Sequence, residues 1–416
     1  MATYYTMYGD YFEVDYVLRR IMNKSVTKRD NVRVEVKNSV GLFCGKEVIA
    51  NRDWPERDIT HMDGYAVKLG KERYFTIVGE VKLGIVPKFR VEENEAVYVP
   101  TGTYLPEGSD AVLRVEDCII EGKSILPKSE VRRGQYIFRK GSDLEKGRTI
   151  IKEGERIRLQ HIPPLLTLGY EKIEVRKPLK VSIVATGSEL SERREPGKIR
   201  NTHSAMISSF VRQNGCSPIY LGIVPDKIET IRSTLREASK TSDIVIATGG
   251  TSMGKKDITV SALRSLEPEL VFHGIKMDRG RVTCVAVLNG KPIIVVPGPI
   301  QATMNALILF CFPLIHHMLA ARDETIYMKA YLAEDWKARE GFEDFRKVLY
   351  VKLKRENNEL VAYPVVGPTE SMSVLLSSDG VVIVPESISS IRQGEHIDVM
   401  LVPGFTFSFP LEIQPF

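Results

Sequence analysis

In the middle of the chain, short apolar segments alternate with amphipathic helical segments, and this alternation constrains the fold more than any other feature. The apolar segments cover residues 181–185, 244–247 and 292–296, and each ends at a glycine-bearing turn. Residues 205–213 and 228–238 place apolar side chains at helical spacing. Strands joined through helices form a parallel sheet, which binds ligands at the carboxyl ends of its strands. We therefore predict a central α/β domain with three glycine turns at one edge.

The flanking segments predict further domains, as expected for 416 residues. Residues 13–22 have helical periodicity, and residues 143–158 together with 159–170 also favour helix. Short apolar runs separated by Gly, Pro and Asp indicate β structure elsewhere. The predicted regions are an elongated helical and linker region (1–50 and 140–176), a β-rich region (51–139), the α/β domain (177–323) and a small C-terminal β-barrel (324–416).

Charge and composition argue against several classes of protein. A net charge of +5 is too small for a chain of this length to indicate nucleic-acid binding. No segment approaches the roughly 20 apolar residues of a membrane span, and the N-terminus lacks the features of a signal peptide. We therefore expect a cytoplasmic protein with no nucleic-acid or membrane partner.

Cysteines and histidines show no metal-ligand spacing. The cysteines form no C-x-x-C pair, which favours buried reduced thiols over disulfides or metal ligands. They are Cys44, Cys118, Cys216, Cys284 and Cys311. Three scattered histidines, His61, His203 and His273, make a zinc site improbable.

The turn at residues 249–257, which reads Gly-Gly-Thr-Ser-Met-Gly-Lys-Lys-Asp, has the composition of an anion-binding site. Glycines let backbone amides approach a ligand, lysines add positive charge, and the N-terminus of a following helix favours anions. The pattern also approaches a P-loop, but Lys256 replaces the hydroxyl residue that would hold Mg²⁺. We favour a different phosphate-binding turn, with a P-loop and a purely structural turn as alternatives.

Three carboxylates lie in the loops of the predicted α/β domain. Glu189 lies just past the first turn, and Asp226 and Asp257 each precede a predicted helix. Either aspartate could simply cap its helix, and for each residue alone capping is at least as good an interpretation as catalysis. Together the three carboxylates suit a magnesium ion that bridges protein and phosphate.

The β-rich region contains two further motifs. Asp63 and Gly64 lie between apolar residues, and this local pattern predicts a hairpin turn. Residues 100–112 read as a strand, a loop and a second strand.

Together these segments resemble the molybdopterin molybdenumtransferase family, which includes MoeA and the E domain of gephyrin. The resemblance runs through nearly the whole chain, with five motifs in the same order. They are residues 62–67 (family MDGYAV), 101–112 (TGAxLPEGADAVV), 141–147 (GxDxxxG), 186–190 (TGDEL) and 249–257 (GGxSxGxxD).

The resemblance implies a reaction in molybdenum cofactor biosynthesis: molybdate, as substrate, is inserted into adenylylated molybdopterin, with Mg²⁺-dependent release of AMP. It also implies a MogA-like α/β domain and an elongated homodimer, whose cleft combines the α/β domain of one subunit with the β-rich domain of the other. An adenylyltransferase that supplies the substrate is a further possible partner.

The resemblance also assigns roles to individual residues. The implied catalytic residues are Asp63, Glu189 and Asp257, and the implied metal ligands are Glu189, Asp226 and Asp257. The implied substrate-binding residues are Thr101, Asp143, Thr186, Gly187, Ser188, Gly249, Gly250, Thr251, Ser252, Gly254, Lys276, Arg279, Arg281, Pro297 and Gly298. Arg346 and Thr369 match the family positions suited to the molybdate oxyanion.

Several residues depart from the family pattern. They are Asn201, His203, Asp278, Pro299 and Glu370. Asp278 stands where the family has a lysine, while Arg279 and Arg281 keep positive charge nearby. These departures leave open a molybdopterin-binding paralogue without transferase activity, or one that uses tungstate, and a P-loop nucleotide hydrolase is a third possibility.

Overall fold

The computed structural model describes residues 3–6, 11–27, 30–249, 257–323 and 325–402. The chain forms two compact units. The first unit comprises Met1–Lys46, Glu153–Leu159 and Lys172–Phe416, and the second comprises Glu47–Lys152 and Gln160–Glu171. The predicted α/β domain and barrel lie within the first unit, and the predicted β-rich region lies within the second.

The secondary structure is mostly short strands. The strands are β1 Thr3–Thr6, β2 Asn31–Glu35, β3 Val48–Ile49, β4 Ile59–Thr60, β5 Gly64–Val67, β6 Phe75–Glu80, β7 Glu95–Val99, β8 Ala111–Arg114, β9 Cys118–Glu121, β10 Ser124–Pro127, β11 Ile137–Phe138, β12 Thr149–Ile151, β13 Lys172–Arg176, β14 Lys180–Thr186, β15 Leu190–Ser191, β16 Ile199–Arg200, β17 Ser217–Val224, β18 Ile244–Thr248, β19 Leu270–His273, β20 Cys284–Leu288, β21 Lys291–Val296, β22 Tyr327–Leu332, β23 Trp336–Lys337, β24 Lys347–Glu356, β25 Glu359–Pro364, β26 Gly380–Val384, β27 Ser390–Ile391 and β28 His396–Met400. The α-helices are α1 Val14–Lys24, α2 Ile162–Thr167, α3 His203–Gln213, α4 Ile228–Thr241, α5 Ile258–Arg264, α6 Ile300–Ala306, α7 Phe312–Met318 and α8 Met372–Ser377, with a π-helical segment, Leu307–Cys311, between α6 and α7.

A seven-stranded sheet forms the centre of the first unit, in the order β1-β19-β20-β21-β18-β14-β17. Strands β21, β18, β14 and β17 are parallel neighbours. Strand β20 is antiparallel to both β19 and β21, so one side of the sheet is mixed. The predicted α/β fold and all three predicted strands are confirmed, and β1, β17, β19 and β20 are additions.

The central strands are buried on both faces, which explains their continuous apolar sequence. On β14, Val181 and Ile183 pack with α1 and α3, whereas Val184 packs on the opposite face with α4 and α5. This alternation follows from the two-residue period of a strand. The sheet is thus a middle layer between two layers of helices.

One helical stretch of the described residues, Ile300–Met318, is long and apolar enough to cross a membrane by length and composition alone. However, 72% of its apolar window is buried within the structure. Leu307, Phe310 and Leu314 are fully buried and belong to the core of the first unit. The stretch therefore packs as a core helix.

The C-terminal part of the first unit is a closed barrel of five strands, β22-β25-β24-β26-β28. Its interior is filled by apolar side chains from all five strands, including Leu332, Val351, Ala362, Val382 and Val399. The predicted small β-barrel is confirmed.

The second unit contains a six-stranded sheet, β8-β5-β7-β6-β10-β9. The predicted hairpin at Asp63 and Gly64 is wrong, because β4 pairs with β11 whereas β5 pairs with β7 and β8. The predicted helical tendency of residues 143–158 is also wrong, since the α-helix lies later, at Ile162–Thr167, and residues 149–151 form β12 against β3.

Candidate functional site

The three glycine turns meet at the carboxyl edge of the parallel strands. The Gly187 amide donates to the Val224 carbonyl at the end of β17, at 3.1 Å. The Gly249 amide donates to the Val296 carbonyl at the end of β21, at 3.2 Å. Backbone hydrogen bonds therefore connect the ends of neighbouring strands, and we call this edge the glycine rim.

Gly249 is required by its conformation and by its neighbour. Its φ is +85°, and an added Cβ would lie 2.6 Å from the Thr186 carbonyl oxygen. The buried Thr186 hydroxyl donates to the Thr248 carbonyl at 2.6 Å and lies 3.0 Å from the Thr259 hydroxyl. Thr186, a predicted substrate-binding residue, thus stabilises the rim through hydrogen bonds on its buried side.

The rest of the second turn lies outside the described residues. This applies to the predicted substrate-binding residues Gly250, Thr251, Ser252 and Gly254.

Asp226 joins the rim through a reciprocal pair of hydrogen bonds. Its Oδ2 accepts from the Ser188 amide at 2.9 Å, and its own amide donates to the Ser188 hydroxyl at 3.1 Å. Helix α4 has Lys227 at its N-cap with no side-chain capping bond. Asp226 therefore connects two loops of the rim rather than capping the helix.

Glu189 lies on the other side of Ser188. A Cβ added to Gly187 would lie 2.5 Å from Glu189 Oε1, so the carboxylate folds back over the glycine turn. Both Glu189 and Asp226 are exposed. Two carboxylates accordingly flank Ser188 at the solvent side of the rim.

Asp257 differs from these carboxylates because it is largely buried. Its Oδ1 accepts from the Val260 amide at 3.3 Å, so it caps α5. Its Oδ2 lies 3.5 Å from Nε2 of the buried His273. Burial raises the pKa of Asp257 to about 6, although the Val260 amide and the charge of Arg264 act in the opposite direction. Asp257 is therefore both a cap and a carboxyl that titrates near neutral pH.

The carboxylates do not form a closed metal cage. Within the part of the chain that the structure describes, no three His, Cys, Asp or Glu side chains are grouped so that they could hold a metal ion. Glu189, Asp226 and Asp257 instead follow three neighbouring parallel strands, β14, β17 and β18. Such an open set of oxygen donors fits Mg²⁺, which commonly takes one or two carboxylates together with water and phosphate.

A cavity of about 320 Å³ lies beside the third glycine turn, which contains Gly298 and follows β21. We call it the arginine pocket, and its lining residues are Arg279, Gly280, Arg281, Val282, Pro297, Pro299, Ala302, Arg339, Phe342, Thr369 and Glu370. It brings together predicted residues from the α/β domain and Thr369 from the barrel region. Three arginines against one glutamate suit an anion.

Arg339 was not singled out by the sequence. Its Nη2 lies 2.6 Å from Asp278 Oδ1, and its guanidinium stacks 3.9 Å from the centroid of the Phe342 ring. Asp278 is the residue that replaces a lysine of the family pattern, and Arg339 neutralises its carboxylate. No local motif marks Arg339, because its partner lies 61 residues earlier in the chain.

The cations that the sequence predicted differ in how firmly the structure holds them. Arg279 donates from Nη1 to Gln301 Oε1 at 2.8 Å, whereas the exposed Arg281 lies 5.7 Å from the centroid of the Phe342 ring. Lys276 forms an ion pair with Asp344 at 2.8 Å and does not line the arginine pocket. Arg281 and Arg339 are thus the more exposed cations of the pocket.

The structure does not bring Arg346 and Thr369 into one pocket. Arg346 lines a different cavity, of about 620 Å³, and forms ion pairs with Asp15 at 2.8 Å and Glu386 at 2.9 Å. These two carboxylates already engage its Nε and Nη2 atoms. The two residues of the predicted oxyanion pair therefore line different cavities, and Arg339 is the barrel-region arginine that lines a cavity with Thr369.

In the second unit, the structure joins two predicted site residues. Asp63 Oδ1 accepts from the Thr101 amide at 2.6 Å, and this hydrogen bond lowers the pKa of Asp63. Asp143 lies in a turn, where its amide donates to the Trp54 carbonyl at 3.3 Å. Asp63 is therefore an exposed carboxylate that stays charged at neutral pH.

Two departures from the family pattern also lie near the rim. Asn201 Nδ2 donates to the Tyr220 hydroxyl at 2.7 Å. His203 forms a hydrogen bond with the Gly298 backbone, and burial lowers its pKa despite this bond. His203 thereby connects the start of α3 to the third glycine turn.

Family models match the chain in three consecutive parts. Residues 12–169 match the MoeA N-terminal region (domain I and II). Residues 182–317 match the "Probable molybdopterin binding domain", and residues 329–402 match the MoeA C-terminal region (domain IV).

Curated relatives and solved structures agree with these matches. The chain is 29% identical over 407 residues to the molybdopterin molybdenumtransferase of Bacillus subtilis (strain 168), covering 94% of each chain. It is 29% identical over 340 residues to the protein of the same name from Staphylococcus aureus (strain COL), covering 79% of this chain and 81% of that one. The crystal structure of a molybdopterin biosynthesis moeA protein from Pyrococcus horikoshii OT3 matches with a TM-score of 0.77 and 27% identity, covering 94% of this chain and all of that one.

Proposed function

Because the chain belongs to the MoeA family of molybdopterin molybdenumtransferases, we propose that it inserts molybdate into adenylylated molybdopterin with Mg²⁺-dependent release of AMP. Its place in molybdenum cofactor biosynthesis and its class as a transferase follow from the family. The adenylylated substrate, the magnesium ion and the course of the reaction are the content of the proposal.

One observation carries the proposal: the arginine pocket opens beside the third turn of the glycine rim. Pro297 and Pro299 line the pocket and follow β21 directly, and the same rim holds Glu189 and Asp226. A site for an oxyanion therefore adjoins carboxylates that suit a metal ion. A reaction that joins molybdate to a phosphate-bearing pterin needs both chemistries in one place.

The three carboxylates would act at the phosphate link between AMP and molybdopterin. Asp226 and Glu189 would hold Mg²⁺ at the solvent side of the rim, and Asp257 would complete the set. Bound Mg²⁺ polarises a phosphoryl oxygen and lowers the pKa of an attacking water. With a pKa of about 6, Asp257 is mostly ionised at neutral pH and can accept a proton or a metal ion.

The arginine pocket would hold the oxyanion. Molybdate and tungstate carry the same charge, so Arg281 and Arg339 would bind either of them by charge-assisted hydrogen bonds, with the Thr369 hydroxyl as a further donor. Glu370 also lines the pocket and would oppose a dianion at close range. We expect it to weaken oxyanion binding rather than abolish it.

We also propose a cytoplasmic homodimer in which Asp63 and Thr101 of one copy face the nucleotide site of the other. Support comes from the hydrogen bond that holds the exposed Asp63 carboxylate in a fixed orientation. An adenylyltransferase would supply the substrate.

The test is AMP release from adenylylated molybdopterin with Mg²⁺ and either molybdate or tungstate. We expect Asp257→Ala to abolish release while Glu237→Ala, a substitution of an exposed carboxylate on α4, leaves it unchanged. Undiminished release by Asp257→Ala would refute the assignment. Substrate binding without oxyanion-dependent AMP release by the unmodified protein would instead indicate a paralogue without transferase activity.

A second measurement addresses the oxyanion. Arg339→Ala should raise the molybdate concentration for half-maximal release at least about tenfold, the order expected for losing one charge-assisted hydrogen bond. Arg392→Ala, at an exposed position of the barrel region, is the control. If Arg339→Ala leaves the molybdate requirement unchanged, the arginine pocket is not the oxyanion site.

A further inference from the structure

A separate cavity of about 500 Å³ lies wholly within the second unit. Residues 105–109 form one wall, and residues 86–90 form another. Its volume falls within the range of about 300–1,000 Å³ that is usual for small-molecule sites. The residues proposed above for oxyanion transfer do not line it.

Three cations line this cavity, which we call the Arg57 pocket. They are Arg57, Lys88 and Arg90. Arg57 and Lys88 are exposed and have no side-chain hydrogen bond or ion pair to any other residue that the structure describes. Arg90 has one long ion pair, with Glu92 at 3.8 Å.

The carboxylates of the pocket do not balance these cations. Asp58 accepts from Arg139 at 2.6 Å and from the Lys140 amide at 2.9 Å, so it is already neutralised from outside the cavity. Glu107 is the other carboxylate of the lining. The pocket is therefore positive overall, and an anion is the ligand that its charge favours.

One wall of the pocket is fixed by backbone packing. Gly108 has a φ of +88°, and an added Cβ would lie 2.6 Å from the Val91 carbonyl and 3.2 Å from Arg90 Cγ. The Ser109 hydroxyl donates to the Pro106 carbonyl at 2.8 Å, so its oxygen points into a fixed turn. Arg90 therefore stands against a rigid turn rather than on a free loop.

The rest of the lining on these two walls is apolar and includes exposed side chains. Phe89 is 44% exposed and Val86 is 41% exposed, and Pro87, Leu105 and Pro106 complete the lining. Exposed apolar side chains next to unpaired cations suit a ligand that has an apolar face and an anionic group. A ring could lie against Phe89 while its phosphate reaches the cations.

From these features we propose that the Arg57 pocket binds a phosphate monoester carried on a flat heteroaromatic body. The phosphate contacts Arg57, Lys88 and Arg90, and the ring packs on Phe89. The inference uses charge, volume and exposure in the second unit alone. It can therefore hold or fail independently of the reaction proposed for the first unit.

The experiment is calorimetric titration of the full chain with AMP and, separately, with inorganic phosphate. AMP bound at the glycine rim should be unaffected by changes in this pocket, so the readout is the number of AMP molecules bound per chain. We expect this number to fall by one in Arg57→Ala/Lys88→Ala, because binding at the pocket weakens at least tenfold, and to stay unchanged in Lys71→Ala/Arg73→Ala, which removes two exposed cations outside the pocket. Phe89→Ser should reduce the affinity of this pocket for AMP to its affinity for inorganic phosphate. The same number of bound AMP molecules in Arg57→Ala/Lys88→Ala as in the unmodified chain, or no AMP binding at all, would overturn the proposal.

A measurement on the unmodified chain covers the case in which the double variant does not fold. AMP should protect Lys88 from acetylation by acetic anhydride at least threefold, measured by peptide mass spectrometry, while Lys71 remains fully reactive. Equal reactivity of Lys88 with and without AMP would refute the site. AMP release in the assay for the proposed function is not affected by either result, so the two proposals fail separately.

Discussion

Replacing Asp257 with asparagine should make the protein more stable and less active. Asparagine keeps an oxygen for the Val260 amide and remains a good N-cap, so the capping bond of α5 is retained. The substitution removes the charge that burial disfavours. If Asp257 serves only as a cap, AMP release should persist in Asp257→Asn.

The size of the effect follows from the pKa shift. The pKa of Asp257 rises from 3.8 to about 6 on folding, so the folded state binds this proton more tightly than the unfolded state. The ionised carboxylate therefore lowers the free energy of unfolding by about 3 kcal/mol above pH 6, at about 1.4 kcal/mol for each pKa unit. This cost shrinks as the pH falls from 6 towards 3.8. The advantage of Asp257→Asn should be about 3 kcal/mol at pH 8 and about 1 kcal/mol at pH 4.5.

The assay is urea unfolding at pH 8, 6.5 and 4.5, followed by tryptophan fluorescence. The chain has two tryptophans, and a Trp54→Phe background leaves Trp336 as the reporter within the first unit, which also contains Asp257. AMP release is measured on the same preparations. The reasoning is refuted if Asp257→Asn is no more stable than its parent at pH 8, or if its advantage is the same at all three pH values.

Three further predictions, on Gly249, Arg346 and Lys347, test the packing of the first unit. Gly249→Ala should lower the free energy of unfolding by at least about 2 kcal/mol, because the added Cβ would clash with the Thr186 carbonyl. The control is Gly222→Ala, where φ is +89° and no atom lies within 4 Å, and it should lower the free energy of unfolding by about 1 kcal/mol. Equal losses of unfolding free energy in urea would contradict this prediction. Arg346→Met removes two ion pairs and should cost about 1–3 kcal/mol without changing the molybdate requirement; a changed requirement would return this residue to the oxyanion site. Lys347→Met leaves three backbone carbonyls without their buried ammonium donor and should cost at least about 2 kcal/mol in the same unfolding assay, and an unchanged midpoint would count against that role.

The sequence predicts the elements that are buried on both sides. Strands β14, β18 and β21 have continuous apolar sequences because helices cover both faces of the sheet. Strand β17 was not predicted, since it is an edge strand with Pro218, exposed side chains and a glycine near its end. Burial leaves a clear pattern in the sequence, whereas an edge position does not.

Pairings between distant residues account for most of what the sequence did not predict. The local pattern at Asp63 and Gly64 indicates a turn, but it cannot specify that the flanking strands pair with different partners. Asp226 fits a capping pattern, yet its carboxylate bonds to Ser188, 38 residues earlier. The glycine rim was predictable because parallel strands place their carboxyl ends together, while its individual hydrogen bonds were not.

The ion pair between Asp278 and Arg339 connects the C-terminal barrel to the α/β domain. Asp278 lies between β19 and β20 of the central sheet, and Arg339 lies between β22 and β24 of the barrel. A fragment that stops before β22 would retain the glycine rim and its carboxylates, but it would lack Arg339, Phe342 and Thr369 from the wall of the arginine pocket. Under the proposed function, such a fragment would keep the carboxylates of the glycine rim but would lose oxyanion binding, so the barrel is not a separable module.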